Sequence, residues 1–145
     1  MRVYPITVLA VLALGIGAGC GSPEGPELPV TGRVTLDGTP LADGEVTFEA
    51  ADGRDRSYYG RIEAGEFSFE STVGLKRVRI SQLERVDDPD GVPGTPGDPV
   101  GPENPAFRME ERIPARYNVQ SELEVEVTQG GPNEFTFDLT SDASS

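Results

Sequence analysis

The sequence predicts an all-β domain, a seven-stranded Greek-key β-sandwich with one long disordered Pro/Gly loop. Apolar and polar residues alternate with period two in seven short segments, which is the pattern of strands that bury one face. The 18 glycines and 13 prolines among the 145 residues favour turns over long helices. The strand pattern is accompanied by no convincing helical spacing and by no internal repeat.

Residues 1–19 are typical of a secretory signal peptide. Arg2 precedes an apolar run at residues 8–16, which is shorter than the roughly 20 apolar residues that span a bilayer. Small residues then lead to Cys20, and this junction resembles the lipobox of bacterial lipoproteins. The resemblance implies that Cys20, the only cysteine, carries the lipid and becomes the mature N-terminus. The alternative is a signal peptide cut elsewhere, in which Cys20 is an ordinary small residue.

Residues 20–29 are rich in proline and glycine and are expected to form a flexible tether to a domain at residues 30–140. Asp37 and Gly38 supply a turn between the first two strands, which we expect to pair antiparallel. Alternation places these residues on the buried face of the two strands: Val30, Gly32, Val34, Leu36, Val46 and Phe48.

A hairpin and a fifth strand follow. Residues 58–63 and 66–70 flank a short turn at residues 64–65, and residues 75–86 form the fifth strand. The expected buried positions in the last two of these strands are Phe67, Phe69, Val78 and Ile80.

Residues 87–105 contain six prolines, four glycines, five acidic residues and no basic residue. Such a segment is expected to form a flexible acidic loop without strand pairing. The alternative is a Ca²⁺ site, because carboxylate oxygens are the ligands that Ca²⁺ prefers. The carboxylates for such a site would be Asp87, Asp88, Asp90 and Asp98. The segment lacks the ligand spacing of an EF-hand, so the sequence favours a solvated loop.

Two strands end the domain, at residues 122–127 and 134–139, and a turn at residues 130–133 is expected to join them as a hairpin. Alternation buries Leu123, Val125, Val127, Phe135, Phe137 and Leu139. Residues 141–145 form a short polar tail that we expect to fray.

Composition excludes several function classes. Without histidine and with one cysteine, the chain cannot build a His-based zinc site, a Ser-His-Asp or Cys-His centre, or an internal disulfide. The formal net charge of -13 opposes nucleic-acid binding, which normally requires a basic face. The sequence therefore predicts neither a cofactor nor a nucleic-acid partner.

The strand motifs also carry a resemblance to known proteins. The order V-x-G-x-V-x-L-D-G-x-P-L-x-x-G-x-V-x-F at residues 30–48 resembles the start of carboxypeptidase regulatory-like domains, a transthyretin-like group of β-sandwich modules. Ile-Pro-Ala-Arg-Tyr-Asn at residues 113–118 and Phe-Thr-Phe-Asp-Leu at residues 135–139 are similar to small bacterial lipoproteins that carry such a domain alone. The resemblance implies a non-catalytic accessory or surface protein and transfers no active-site residue.

The function expected from these observations is that of a non-catalytic, lipid-anchored interaction or structural module of the cell envelope. Its partners would be the membrane, through lipid on Cys20, and envelope proteins or glycans. Gly21 stands where an aspartate commonly marks inner-membrane lipoproteins, which favours the outer membrane. The candidate partner-binding residues are Tyr58, Tyr59, Arg116 and Tyr117.

Two alternatives depend on particular side chains. A carbohydrate-binding module would use an aromatic platform of Tyr58, Tyr59 and Tyr117, although the chain has no tryptophan. An enzyme with paired carboxylates would draw on Glu122, Glu124 and Glu126, but alternation makes these the solvated face of one strand. The basic group Lys76, Arg77 and Arg79 is expected to neutralise carboxylates across the sheet rather than to dock an acidic ligand.

Overall fold

The computed structural model describes residues 25–94 and 99–141, and the described chain is almost entirely β. The strands are β1 (Glu27–Leu36), β2 (Thr39–Pro40), β3 (Asp43–Ala50), β4 (Tyr58–Glu63), β5 (Glu66–Thr72), β6 (Gly74–Ser81), β7 (Leu83–Pro93), β8 (Ala106–Glu111), β9 (Glu124–Val127) and β10 (Glu134–Leu139). A single 3₁₀ turn lies at Ala115–Tyr117. The all-β prediction is confirmed. The predicted signal peptide at residues 1–19 and the predicted lipid acceptor Cys20 lie outside the described residues.

Eight of the strands form one sheet in the order β10-β1-β5-β4-β3-β6-β9, with the short β2 paired to β1. The pairs are antiparallel except for β1 and β10, which run parallel. It follows that β1, β4, β6 and β10 point in one direction and the remaining strands of the sheet in the other.

The sheet curls around its apolar face. The rings of Phe48 in β3 and Phe135 in β10 have centroids 5.8 Å apart, although three strands lie between β3 and β10 in the sheet. In a flat sheet those two strands would be about 19 Å apart, at about 4.8 Å per strand. The core enclosed by the curl contains Val30, Val34, Leu41, Val46, Phe48, Tyr58, Ile62, Phe67, Val78, Ile80, Ile113, Val127, Phe137 and Leu139.

The central hairpin forms as predicted between β4 and β5. Ile62 pairs with Phe67, and Glu63 pairs with Glu66 across the turn. Ala64 and Gly65 both have positive φ, 51° and 80°, as a two-residue hairpin turn with the twist of the strands requires.

The other predicted strand pairs were wrong. The first and second long strands, β1 and β3, do not pair: β1 lies between β5 and β10, and β3 lies between β4 and β6. The last two strands are not a hairpin either, because β9 pairs with β6 and β10 pairs with β1. The side chain of Asn133 holds this connection instead. Its Oδ1 accepts a hydrogen bond from the backbone N–H of Thr128 at 2.9 Å, and its Nδ2 donates one to the backbone carbonyl of Thr128 at 3.2 Å. The connection between β9 and β10 thus crosses from one edge of the sheet to the other.

The predicted fifth strand is two strands in different sheets. β6 ends at Ser81, and β7 begins at Leu83 and pairs only with β8, as a two-stranded ribbon. The prediction that residues 87–105 form no strand was therefore wrong for residues 87–93. The prolines are tolerated because the pairing breaks there: Asp87 and Val92 both face Phe107, so Pro89 stands outside the ladder.

The tether is shorter than predicted, because β1 begins at Glu27 and residues 27–29 already pair with β5. At the other end of the domain, the carboxylate of Glu111 fixes the base of the ribbon. It accepts hydrogen bonds from Ser81 Oγ at 2.5 Å, from the backbone N–H groups of Gln82 and Ile113 at 2.9 Å each, and from Asn118 Nδ2 at 2.8 Å. These four bonds occupy the acceptor capacity of one carboxylate.

Candidate functional site

A buried lysine lies in β6. Alternation puts Lys76 on the same face as Val78 and Ile80, so its side chain enters the core instead of joining Arg77 and Arg79 outside. The expected neutralisation across the sheet is found for the two arginines, since Arg77 pairs with Glu124 of β9 at 3.8 Å and Arg79 pairs with Glu49 of β3 at 3.0 Å. Lys76 requires a separate counter-ion because a buried charge without a partner is costly.

Asp55, in the loop before β4, supplies that counter-ion. Lys76 Nζ donates hydrogen bonds to Asp55 Oδ2 at 3.1 Å and to Thr72 Oγ1 at 2.8 Å. The Thr72 hydroxyl in turn donates to Asp55 Oδ2, and the backbone N–H of Arg56 donates to Asp55 Oδ1 at 2.8 Å. The hydrogen bond from Thr72 lowers the pKa of Asp55 most; burial opposes it, and the bonds from Lys76 and Arg56 lower the pKa further.

Tyr58 completes this cluster from inside the core. Its ring face lies 5.3 Å from Lys76 Nζ and 4.9 Å from the guanidinium carbon of Arg56, both within cation–π range. Arg56 is also ion-paired with Glu27 at the start of β1. The Tyr58 ring is buried, and its hydroxyl has no hydrogen-bond partner among the described residues. Tyr58 was predicted to contact a partner, but its buried ring is unavailable at the surface.

The Lys76 cluster forms one wall of a cleft of about 700 Å³. The cleft lies at the end of the sheet where β1 starts and β3 ends, and Gly25 and Leu75 are part of its rim. Lys76 has its counter-ion and the Thr72 hydroxyl is buried, so this arrangement presents neither a free base nor an exposed nucleophile to the cleft. These hydrogen bonds hold the loop before β4 against the end of β5 and the start of β6.

The other predicted partner-binding residues fall into two places. Tyr59 follows Tyr58 in β4 and points to the opposite face, where 71% of it is exposed. The two tyrosines therefore cannot share one aromatic platform.

Arg116 and Tyr117 are brought together by the 3₁₀ turn. The Arg116 guanidinium stacks on the Tyr117 ring at 4.7 Å and donates to the carbonyl and, at 2.9 Å, to Oγ1 of Thr140. The Tyr117 hydroxyl lies 3.4 Å from the same Oγ1, and its hydrogen bonds to Thr140 and then Arg116 lower its pKa. Both side chains thus tie the turn to the end of β10.

Carboxylates do not gather into a metal site in the part of the chain that the structure describes: no three or more His, Cys, Asp or Glu side chains lie together. Asp88 instead pairs with Arg108 at 3.7 Å. Asp98, the fourth candidate Ca²⁺ ligand, lies outside the described residues. Glu124, one of the three candidate catalytic carboxylates, pairs with Arg77.

The sequence did not reveal the surface that the ribbon of β7 and β8 presents. Opposite residues of an antiparallel pair lie on the same face. On one face Leu83, Val92 and Met109 are between 52% and 60% exposed, and Phe107 is half-buried beneath the guanidinium of Arg85, which lies 3.9 Å from the ring centroid. We call Leu83, Val92, Phe107 and Met109 the apolar face of the ribbon. Phe107 and Met109, two apolar residues two positions apart, are the signal from which this face was predictable.

The opposite face of the ribbon is a chain of ion pairs. Arg108 contacts Glu110 at 3.0 Å, and Arg112 contacts Glu110 at 3.8 Å and also pairs with Glu84. The ribbon therefore has one face of paired charges and one on which Leu83, Val92, Phe107 and Met109 are interleaved with Arg85, Asp87 and Glu111.

The tether and the ribbon leave opposite ends of the sheet. β1 and β6 run in the same direction, so the start of β1 and the end of β6 are far apart, and the ribbon follows the end of β6. Among residues 25–94 and 99–141, no helix has the length and apolar character needed to cross a membrane. No family model matches this chain, and neither a curated protein nor a solved structure matches it.

Proposed function

We propose that this chain is a non-catalytic, lipid-anchored module of the cell envelope that acts by binding other envelope components. The observation that carries the proposal is the placement of the two ends. Cys20 precedes Gly25, at the rim of the cleft, by five residues, whereas the ribbon leaves from the far end of the sheet. A lipid on Cys20 would hold the cleft end near the membrane and direct the ribbon away from it.

The reach of the tether supports this orientation. Five residues span at most about 18 Å when fully extended. Acyl chains on Cys20 would contribute about 0.8 kcal/mol per buried CH₂, and two or more chains anchor a protein stably. Gly21, in the position after the cysteine, favours the outer membrane in this proposal.

For the fold we propose the Greek-key sandwich of the transthyretin-like, carboxypeptidase regulatory-like domains. Two features support it. Asp37 and Gly38 of the opening motif form a tight turn with φ of 53° and 79°. The curled sheet also brings the first and last long strands side by side while the chain crosses between its edges. A crystal structure in which β10-β1-β5-β4 and β3-β6-β9 form two facing layers would support this assignment, and a closed barrel would contradict it.

Lipid anchoring predicts a specific effect of Cys20→Ala. The wild-type protein is expected in the membrane fraction, with Cys20 as its N-terminus and a mass increased by the acyl groups. The alanine variant should lose both the added mass and most of its membrane association, because the thioether-forming sulfur is gone. Fractionation followed by intact-mass spectrometry measures both effects.

Ser22→Ala is the matched control, because it alters the same segment but leaves the cysteine, and it should behave as the wild type. A wild type without the mass of acyl groups, or a Cys20→Ala variant with unchanged membrane association, would refute the anchor.

A further inference from the structure

We infer that the apolar face of the ribbon binds a protein partner that offers an apolar strip bordered by lysine or arginine. This inference rests on the proposed function, because it gives the anchored module its partner. The surface is made by Leu83, Val92, Phe107 and Met109, together with the acidic outer end of the ribbon.

The apolar face combines exposed side chains with an aromatic ring that is already held in place. Three of its side chains, Leu83, Val92 and Met109, are more than half exposed on one face of the ribbon. Phe107 is held by the guanidinium of Arg85 on its ring, so little side-chain entropy remains to be lost when a partner packs against it. Aromatic, methionine and arginine side chains are also the types enriched in interface centres.

Charge identifies the kind of partner. Among the described residues of the ribbon and its outer connection, Asp87, Asp90 and Glu103 have no basic side chain paired with them. The ribbon arginines Arg108 and Arg112 are already paired with other carboxylates, and Arg85 has its guanidinium on the Phe107 ring. A partner surface with cations around an apolar strip would satisfy both features at once.

Neither a second copy of this chain nor a bilayer fits this surface. The face is about 17 Å long and about 10 Å wide, or about 200 Å², well below the roughly 800 Å² that each partner gives to a stable interface, and this limit holds for any protein partner. Two copies would also bring unpaired carboxylates together. Anionic lipid headgroups would repel the same carboxylates, and the ribbon leaves the sheet at the end opposite the tether. A small contact of this kind belongs to the transient class of protein interfaces.

In-cell photocrosslinking of the full-length protein tests the inference. The photoreactive residue p-benzoylphenylalanine replaces Met109, and in the control it replaces Val119, which is 72% exposed but lies outside the ribbon. We expect a discrete protein adduct from position 109, at least tenfold stronger than from position 119. The crosslinked partner peptide, identified by mass spectrometry, should contain apolar residues flanked by lysine or arginine.

Charge variants test the second half of the inference. Asp87→Asn with Asp90→Asn should weaken the position-109 adduct at least fivefold, and Leu83→Ser should do the same. The control Glu122→Gln with Glu126→Gln removes two exposed carboxylates elsewhere and should leave the adduct unchanged.

The inference is overturned by the absence of an adduct, by an adduct of twice the protein's mass, by a lipid adduct, or by one that survives neutralisation of Asp87 and Asp90. Membrane association through Cys20 tests the lipid anchor separately. Loss of the adduct from a protein that remains membrane-bound through Cys20 refutes the ribbon surface alone. An adduct that persists while Cys20→Ala stays in the membrane refutes the anchor alone.

Discussion

Asp55→Ala is expected to lower the free energy of unfolding by about 3 kcal/mol, because it leaves the ammonium group of Lys76 buried without its counter-ion. The remaining contacts of that group, the Thr72 hydroxyl and the Tyr58 ring, carry no negative charge. Urea denaturation followed by circular dichroism measures the change. Asp52→Ala is the control: Asp52 lines the same cleft and is exposed, so its loss should change the free energy by no more than about 0.5 kcal/mol.

Lys76→Met separates the charge from the packing. Methionine keeps most of the side-chain volume and removes the buried charge, so Asp55→Ala combined with Lys76→Met should recover most of the stability lost in Asp55→Ala alone. If Asp55→Ala alone stays within about 1 kcal/mol of the wild type, the ion pair does not stabilise the fold.

The same cluster gives stability a pH dependence of known sign. The pKa of Asp55 is lower in the folded chain than its ordinary value of 3.8, so the folded state favours the carboxylate. The stabilisation is fully present above pH 3.8 and is lost as the pH falls through the lower, folded pKa. The difference in stability between wild type and Asp55→Ala should therefore be constant near neutrality and shrink in acid.

Gly32→Ala is expected to destabilise the domain by about 3 kcal/mol or more, or to prevent folding, because β1 has no room for a side chain there. A Cβ atom at this position would lie 2.2 Å from the carbonyl oxygen of Phe135 and 2.4 Å from Cζ of Phe67. The ring could move, but the carbonyl belongs to β10, which pairs with β1 at this point, so relief of the clash separates the two strands. Thermal and urea unfolding measure the loss.

Gly101→Ala is the control for Gly32→Ala, since a Cβ atom at Gly101 meets nothing within 4 Å. It should change stability by less than about 0.5 kcal/mol. A truncation of Phe67 to leucine should rescue Gly32→Ala only in part, because the contact with the backbone oxygen remains. A Gly32→Ala protein as stable as the wild type would show that β1 and β10 are not in close register.

Alternation made the buried faces predictable but not the strand neighbours. Val34, Phe48 and Ile80 are buried as their positions indicate, because the period of two is a property of each strand alone. The partner of a strand depends on long-range contacts, so the pairing of β1 with β10 could not be read from local pattern.

The candidate site was less predictable than the fold. The parity of β6 already placed Lys76 on the side of Val78, but the sign of its charge suggested the surface, and its counter-ion comes from a loop with no regular spacing. Tyr58 was predicted to be a partner-binding residue, although alternation in β4 places it on the side of Ile62 and places Tyr59 on the side of Arg61 and Glu63. The ribbon was missed because the proline content of residues 87–105 suggested a loop, and a bulge removes Pro89 from the ladder.

The parallel pairing of β1 with β10 has a consequence for how the chain acquires this fold. Residues 31–36 pair with residues 134–139, so the first strand of the domain cannot complete its pairing until the last strand is present. Synthesis on the ribosome produces the N-terminal part first, and one edge of β1 remains open until nearly the whole domain has emerged. Such non-local closure makes folding slow and dependent on chain completion. The sheet therefore cannot complete its edge at β1 before residues 134–139 are available.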